Sequence, residues 1–168
     1  MSKDILYFAY GSNLDTARLE TRLKHIPESK PARLPDYRLI FDKKAKNGEG
    51  TYANIVRAPG SEVWGVVYFF DSTDLALLDK CEGVSGGHYE HEHLEVEIEN
   101  GVLVQAISYK ACSKWIALEC RPTMEYLRHV IEGARNHGLS ETYIDQVTKI
   151  ATAGIDGSLI EHTGDTLL

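Results

Sequence analysis

The chain has 168 residues, of which 43% are hydrophobic and 26% are charged, a balance typical of a globular protein that is large enough for one hydrophobic core and short for two. Its net charge of −7 argues against a nucleic-acid or anionic-membrane partner, since either would require a basic patch. Met1 leads into polar residues rather than a signal peptide, and no apolar run could cross a bilayer, so we expect one cytoplasmic domain over residues 1–168.

The chain opens with a predicted strand, a tight loop and a helix. Residues 4–9 form a short apolar strand, and a helix is predicted at about 16–24 with Asp15 as its N-cap. Between them, Gly-Ser-Asn at 11–13 ends the strand abruptly, and such a turn can point backbone N–H groups at an anion. We interpret it as a binding loop, although an ordinary turn in which Gly11 adopts a positive φ fits equally well.

The middle of the chain is predicted as strands around one helix. Extended stretches at 37–41 and 52–56 are separated by an exposed connection at 43–50. The nearly unbroken β-branched and aromatic run at 63–70, bounded by Pro59-Gly60, predicts a central strand that is buried on both faces. A helix capped at residue 71 or 72 then continues to residue 80.

A β-hairpin is the most strongly patterned segment. Leu94, Val96 and Ile98 alternate with glutamates inside a predicted strand at 88–99, so one face is apolar. Asn100-Gly101 is typical of a type I′ turn, which leads into a second strand at 102–111.

Two helices are predicted to follow the hairpin. The first holds Pro122 in its first turn, carries Tyr126 on its apolar face and ends at Gly138 as its C-cap. The second runs from 140 to 151, and residues 152–168 are predicted as a tail because they lack periodicity. The mixture of elements indicates an α+β domain with a mixed, strongly curved sheet.

Glu82 is the candidate catalytic residue. It follows Leu75 by seven positions and Leu78 by four, which places it on the apolar face of its helix. It also stands just before Gly83 at the helix C-terminus, where the terminal carbonyls disfavour another anion. Both surroundings favour a carboxyl that exchanges protons near neutrality, as a general base does. Most glutamates at helix ends, by contrast, are simply solvent-exposed.

Three blocks of the sequence resemble the γ-glutamylcyclotransferase family. They are Tyr-Gly-Ser-Asn-Leu at 10–14, Glu-Val-Trp-Gly-Val-Val at 62–67 and Leu-Asp-Lys-Cys-Glu-Gly-Val at 78–84. The resemblance covers roughly residues 5–138 and implies a small barrel-like sheet flanked by helices. It also implies that Glu82 is the acid/base of an internal aminolysis, which closes a γ-glutamyl group to 5-oxoproline and releases an amino acid or amine. Because this ring closure is intramolecular, no metal or organic cofactor is required.

The resemblance further implies which residues hold the small-molecule γ-glutamyl substrate. The loop amides would bind its α-carboxylate or its developing oxyanion, and the sequence leaves both open. Tyr89 matches a pocket tyrosine of the family, and Tyr126 matches a second one or belongs to the core. A homodimer is implied by analogy alone. The predicted substrate-binding residues are Tyr10, Gly11, Ser12, Asn13, Leu14, Tyr89 and Tyr126.

Other functions remain open from the sequence. A γ-glutamylamine cyclotransferase, or an enzyme that removes γ-glutamyl from a biosynthetic intermediate, would use the same residues. A non-catalytic domain that binds small amino-acid derivatives would not need an ionisable Glu82 on an apolar face. His88, His91 and His93 form a metal-like cluster, but they alternate with glutamates on what is expected to be a solvated strand face. No tetrahedral ligand set is apparent, so we expect no metal site.

Overall fold

The computed structural model describes residues 5–153, and it contains five strands and four helices over that range. In chain order they are β1 Ile5–Ala9, α1 Thr16–Leu23, β2 Ser29–Lys44, β3 Thr51–Phe70, α2 Ser72–Glu82, β4 Tyr89–Glu97, β5 Leu103–Ala111, α3 Met124–Asn136 and α4 Glu141–Ala153.

The five strands close into a barrel in the order β1-β3-β2-β4-β5. Among the five described strands, β1 and β5 pair in parallel and the other neighbours are antiparallel. The register of β2 on β3 shifts between Pro35 and Tyr37 and again between Ile40 and Lys43. Such bulges bend and twist long strands, which lets β2 and β3 wrap around the barrel. The predicted α+β fold with a mixed, strongly curved sheet is confirmed.

Strands β2 and β3 are much longer than predicted. The stretches expected at 37–41, 52–56 and 63–70 are parts of a 16-residue and a 20-residue strand. Pro59 does not end β3. It lies between the pairs Tyr37↔Arg57 and Pro35↔Glu62, where the register shifts, so the ladder is interrupted at the residue that lacks an N–H donor. The predicted run 63–70 is central, since β3 pairs with both β1 and β2.

The prediction of an exposed connection at 43–50 is wrong at its first residue, Lys43. Lys43 belongs to β2 and is fully buried, with its ammonium 5.2 Å from the ring centre of Tyr89 and 5.1 Å from that of Trp115. Cation–π attraction to these rings compensates in part for its lost hydration. A charged residue type was therefore a poor guide to exposure here.

The predicted hairpin is confirmed. Strands β4 and β5 pair continuously from Tyr89↔Ala111 to Glu97↔Leu103. Asn100 and Gly101 both have a positive φ, of 61° and 72°, as a type I′ turn requires.

The helices begin as predicted at three of their four N-termini. Asp15 caps α1 by accepting from the N–H groups of Ala17 and Arg18, and Asp71 caps α2 in a reciprocal box with Asp74. Pro122 was wrongly placed in the first turn of α3, because Thr123 is the N-cap and the proline precedes it.

Two helices end later than predicted. Helix α2 continues two residues further than expected, so Glu82 is its last residue before Gly83, whose φ is 67°. Helix α4 continues to Ala153, and the rest of the predicted tail, 154–168, lies outside the described residues. No helix in the described part of the chain is long and apolar enough to cross a membrane.

Candidate active site

The loop after β1 contains a short 3-10 turn, Ser12–Leu14, that leaves backbone donors unpaired. The Leu14 N–H donates to the Gly11 carbonyl at 3.0 Å, which closes the turn. The N–H groups of Gly11, Ser12 and Asn13 have no acceptor among residues 5–153. Helix α3 supports the turn from behind, because a Cβ on Gly133 would lie 2.4 Å from the Leu14 carbonyl carbon.

Glu82 lies beside this turn, and its side chain is 14% exposed. Its Oε1 accepts from Asn13 Nδ2 at 3.0 Å and from Arg22 Nη1 at 2.8 Å. Arg22 also donates to Asn13 Oδ1 at 2.7 Å, which fixes the orientation of the Asn13 amide. Within the described residues Oε2 has no partner, so it is the oxygen available to a ligand.

Arg22 is the functional residue that the sequence reasoning missed. It lies on α1, and its pairing with Glu82 depends on the packing of α1 against α2. The two residues are 60 positions apart in the sequence. The one available signal was local, because Arg22 stands between the apolar positions Leu19 and Leu23 of a helix directly after the binding loop.

Buried tyrosines surround the space next to Glu82. Tyr89 donates its hydroxyl proton to the Ala53 carbonyl at 2.9 Å, and the Ala53 N–H donates to the Tyr126 hydroxyl at 3.0 Å. The Tyr10 hydroxyl donates to the backbone carbonyl of Tyr109. Burial raises the pKa of Tyr10 and Tyr89 well above the ordinary value, so both phenols stay protonated at neutral pH.

One cavity brings together most of the predicted site residues. Leu14 is the exception, since its side chain is buried in the core and its N–H is used within the turn. Tyr7, Ala53 and Tyr109 also line the cavity although the sequence did not single them out. The predicted residues that line it are Tyr10, Gly11, Ser12, Asn13, Glu82, Tyr89 and Tyr126.

A groove continues outward from this cavity past Tyr126. It is lined by Arg18, Arg22 and Lys46 together with the ring of Tyr52. Arg18 and Arg22 are four positions apart and so share one face of α1. Arg22 is paired with Glu82, whereas Arg18 and Lys46 form no ion pair with any described residue. The groove therefore offers positive charge to whatever lies in it.

The histidine cluster is dispersed. The ring of His88 stacks on Trp115 with 3.9 Å between ring centres, while His91 Nε2 lies 2.7 Å from Asp79 Oδ1 on α2. The solvated face expected for these residues holds for His93, but not for His91, which α2 covers in part. Within residues 5–153, no three His, Cys, Asp or Glu side chains are grouped to hold a metal ion.

Comparisons of the sequence and of the fold with known proteins find relatives in the same family. Residues 62–147 match the AIG2-like family. The γ-glutamylcyclotransferases of Bos taurus and Homo sapiens are each 32% identical to this chain, in alignments that cover 98% of it and 88% of the relative. A solved structure named γ-glutamyl cyclotransferase superposes with a TM-score of 0.75 at 32% identity, over 86% of each chain. The chain belongs to the γ-glutamylcyclotransferase family, among the AIG2-like proteins.

Proposed function

We propose that the protein is a γ-glutamylcyclotransferase that forms 5-oxoproline and uses Glu82 as its general acid/base. One observation carries this proposal: Glu82, whose Oε2 has no partner among the described residues, lines the same tyrosine-lined cavity as residues 11–13, whose N–H groups are unpaired. A base and a set of donors in one cavity are what an intramolecular aminolysis requires.

The reaction follows from these positions. Glu82 Oε2 takes a proton from the α-ammonium of the substrate, and the freed amine attacks the γ-carbonyl carbon, which forms a five-membered ring. The carbonyl electron pair moves onto its oxygen and is stabilised by donors in the cavity. As that pair returns, the bond to the leaving nitrogen breaks, and Glu82 returns the proton to that nitrogen. The ring nitrogen gives up its second proton to the departing amine, which leaves as an ammonium. Ring closure brings amine and carbonyl together, so no cofactor takes part.

The outer groove supports an amino acid as the leaving group. Because Arg18 and Lys46 have no carboxylate partner in the described structure, they are available to the carboxylate of a departing amino acid. A γ-glutamylamine would present a neutral or cationic leaving group to the same charges.

Incubation of the protein with γ-glutamyl-alanine, glutathione and γ-glutamyl-ε-lysine tests the proposal. Mass spectrometry would follow 5-oxoproline and the released amine together. We expect 5-oxoproline from γ-glutamyl-alanine and less from γ-glutamyl-ε-lysine. Folded protein that forms no 5-oxoproline from any of the three would refute the proposed activity and favour a non-catalytic binding domain.

A further inference from the structure

The peptide unit of Ala53 fixes the hydrogen-bonding roles of two tyrosines in the cavity. Its carbonyl takes the hydroxyl proton of Tyr89 at 2.9 Å, so Tyr89 presents only lone pairs to a ligand. Its N–H occupies a lone pair of the Tyr126 hydroxyl at 3.0 Å, so the proton of Tyr126 is left for a ligand or for the neighbouring Ser12 side chain. The two hydroxyls therefore differ in hydrogen-bonding capacity: Tyr89 can only accept from a ligand, whereas Tyr126 can donate to one.

The hydroxyl of Tyr126 lies beside the turn, where the inner cavity meets the outer groove. A Cβ built on Gly11 would lie 3.2 Å from the Tyr126 oxygen, so this hydroxyl adjoins the unpaired N–H groups of the turn. Tyr126 also lines both the inner cavity and the outer groove. In a bound substrate the γ-carbonyl joins the part that stays in the cavity to the leaving group in the groove, so it lies at this boundary.

Resting on the proposed function, we propose that Tyr126 is a catalytic hydrogen-bond donor to the oxyanion of the γ-carbonyl, and that Tyr89 accepts an N–H of the substrate α-amine. The amine nitrogen forms its bond to the γ-carbon while the carbonyl electron pair moves to the oxygen next to Tyr126. No proton is transferred from the phenol, which gives only a hydrogen bond. Tyr89 orients the nucleophile, and Glu82 Oε2 removes its proton.

The chemistry of the phenol suits this role. Burial, the largest cause, raises the pKa of Tyr126 to about 12, so the donor proton is retained throughout the neutral range. A donor that is already oriented by the Ala53 N–H does not reorganise as charge develops, which is the condition for strong stabilisation of a transition state.

Steady-state kinetics of Tyr126→Phe and Tyr89→Phe with γ-glutamyl-alanine test the proposal. For Tyr126→Phe we expect kcat to fall by roughly 10² while KM stays within about threefold, since the lost bond forms only in the transition state. For Tyr89→Phe we expect mainly a higher KM, by roughly tenfold, since the amine is held before reaction. The matched control is Tyr143→Phe on α4, a buried tyrosine outside the cavity, which should leave both constants unchanged.

A second variant covers the case in which Tyr126→Phe does not fold because the Ala53 N–H loses its acceptor. Replacing Tyr126 with 3-fluorotyrosine keeps the hydroxyl and lowers its pKa, so kcat should be retained near neutrality and the alkaline limb of its pH profile should move to lower pH. A Tyr126→Phe variant that raises only KM, or a fluorinated enzyme with an unchanged alkaline limb, would overturn the assignment while leaving the proposed function intact. Failure of the wild-type protein to form 5-oxoproline would instead refute the function itself.

Discussion

Arg22 and Glu82 form an ion pair with 2.8 Å between Arg22 Nη1 and Glu82 Oε1, and the two side chains are only 17% and 14% exposed. The pair joins the last turn of α1 to the last residue of α2, and Asn13 of the binding loop bonds to both members. One oxygen of the carboxylate is thus held by the protein, and the other has no partner among the described residues.

Replacement of Arg22 by Met should lower activity through Glu82. Without the guanidinium, the carboxylate is left in a shielded position with no cation beside it, and its orientation is no longer fixed. We expect kcat/KM to fall at least about tenfold, because a carboxylate that is no longer oriented meets the substrate ammonium less often. The measurement is kcat/KM for γ-glutamyl-alanine at neutral pH.

Arg22→Lys is the control for this prediction. An ammonium restores the charge but cannot reproduce both guanidinium bonds to Glu82 and Asn13, so the rate should recover only in part. A folded Arg22→Met variant with the wild-type kcat/KM would show that the ion pair has only a structural role.

Gly133→Ala should destabilise the protein even though alanine favours helices by about 1 kcal/mol over glycine. The added methyl group would lie 2.4 Å from the Leu14 carbonyl carbon and 2.5 Å from the Asp15 nitrogen, and both of these atoms are backbone. We expect a loss of roughly 1 to 3 kcal/mol in the free energy of unfolding, measured with urea. Glu132→Ala, at an exposed neighbouring position of α3, should be nearly neutral; equal effects of the two substitutions would mean that α3 does not support the loop closely.

His137 should contribute a pH dependence to stability. Burial lowers its pKa below the ordinary value of 6.5, so the unfolded chain binds the proton more readily than the folded protein. The contribution of His137 to the free energy of unfolding is therefore fully present above pH 6.5. It declines as the pH falls through that value towards the folded-state pKa. In His137→Gln, the free energy of unfolding should decline less over this window. Parallel stability curves for the two proteins would contradict the inference that the histidine is kept neutral by burial.

Arg18→Gln should weaken recognition of the leaving group. We expect kcat/KM for γ-glutamyl-alanine to fall about tenfold, because a charge-assisted bond to the alanine carboxylate is lost. Turnover of γ-glutamyl-alaninamide, which lacks that carboxylate, should barely change. Arg135→Gln on the exposed face of α3 serves as the control, and an equal loss on both substrates would show that Arg18 does not bind the carboxylate.

The features predicted well from the sequence were those encoded locally. The hairpin turn at Asn100-Gly101 requires positive φ at two positions, a demand that few residue pairs meet. The place of Glu82 on an apolar helix face followed from periodicity alone. The full length of β3 was not foreseen, because the tolerance of Pro59 depends on a shifted register against a strand elsewhere in the chain.

Contacts between distant segments could not be derived from the sequence. The Arg22 partner of Glu82 comes from another helix. The partners of the Tyr89 and Tyr126 hydroxyls are backbone groups of Ala53, which any residue type except proline would supply. Lys43 was expected in an exposed connection and is buried among aromatic rings of three separate segments.

The most direct test of the account is 5-oxoproline formation from γ-glutamyl-alanine by Glu82→Gln. The amide keeps the size of the side chain and can still accept from Arg22 and Asn13 through its oxygen, so the variant should fold with an unchanged circular dichroism spectrum. Because glutamine cannot take a proton from the α-ammonium, the rate should fall by about 10² or more. Turnover near the wild-type rate in this folded variant would contradict the assignment of Glu82 as the acid/base.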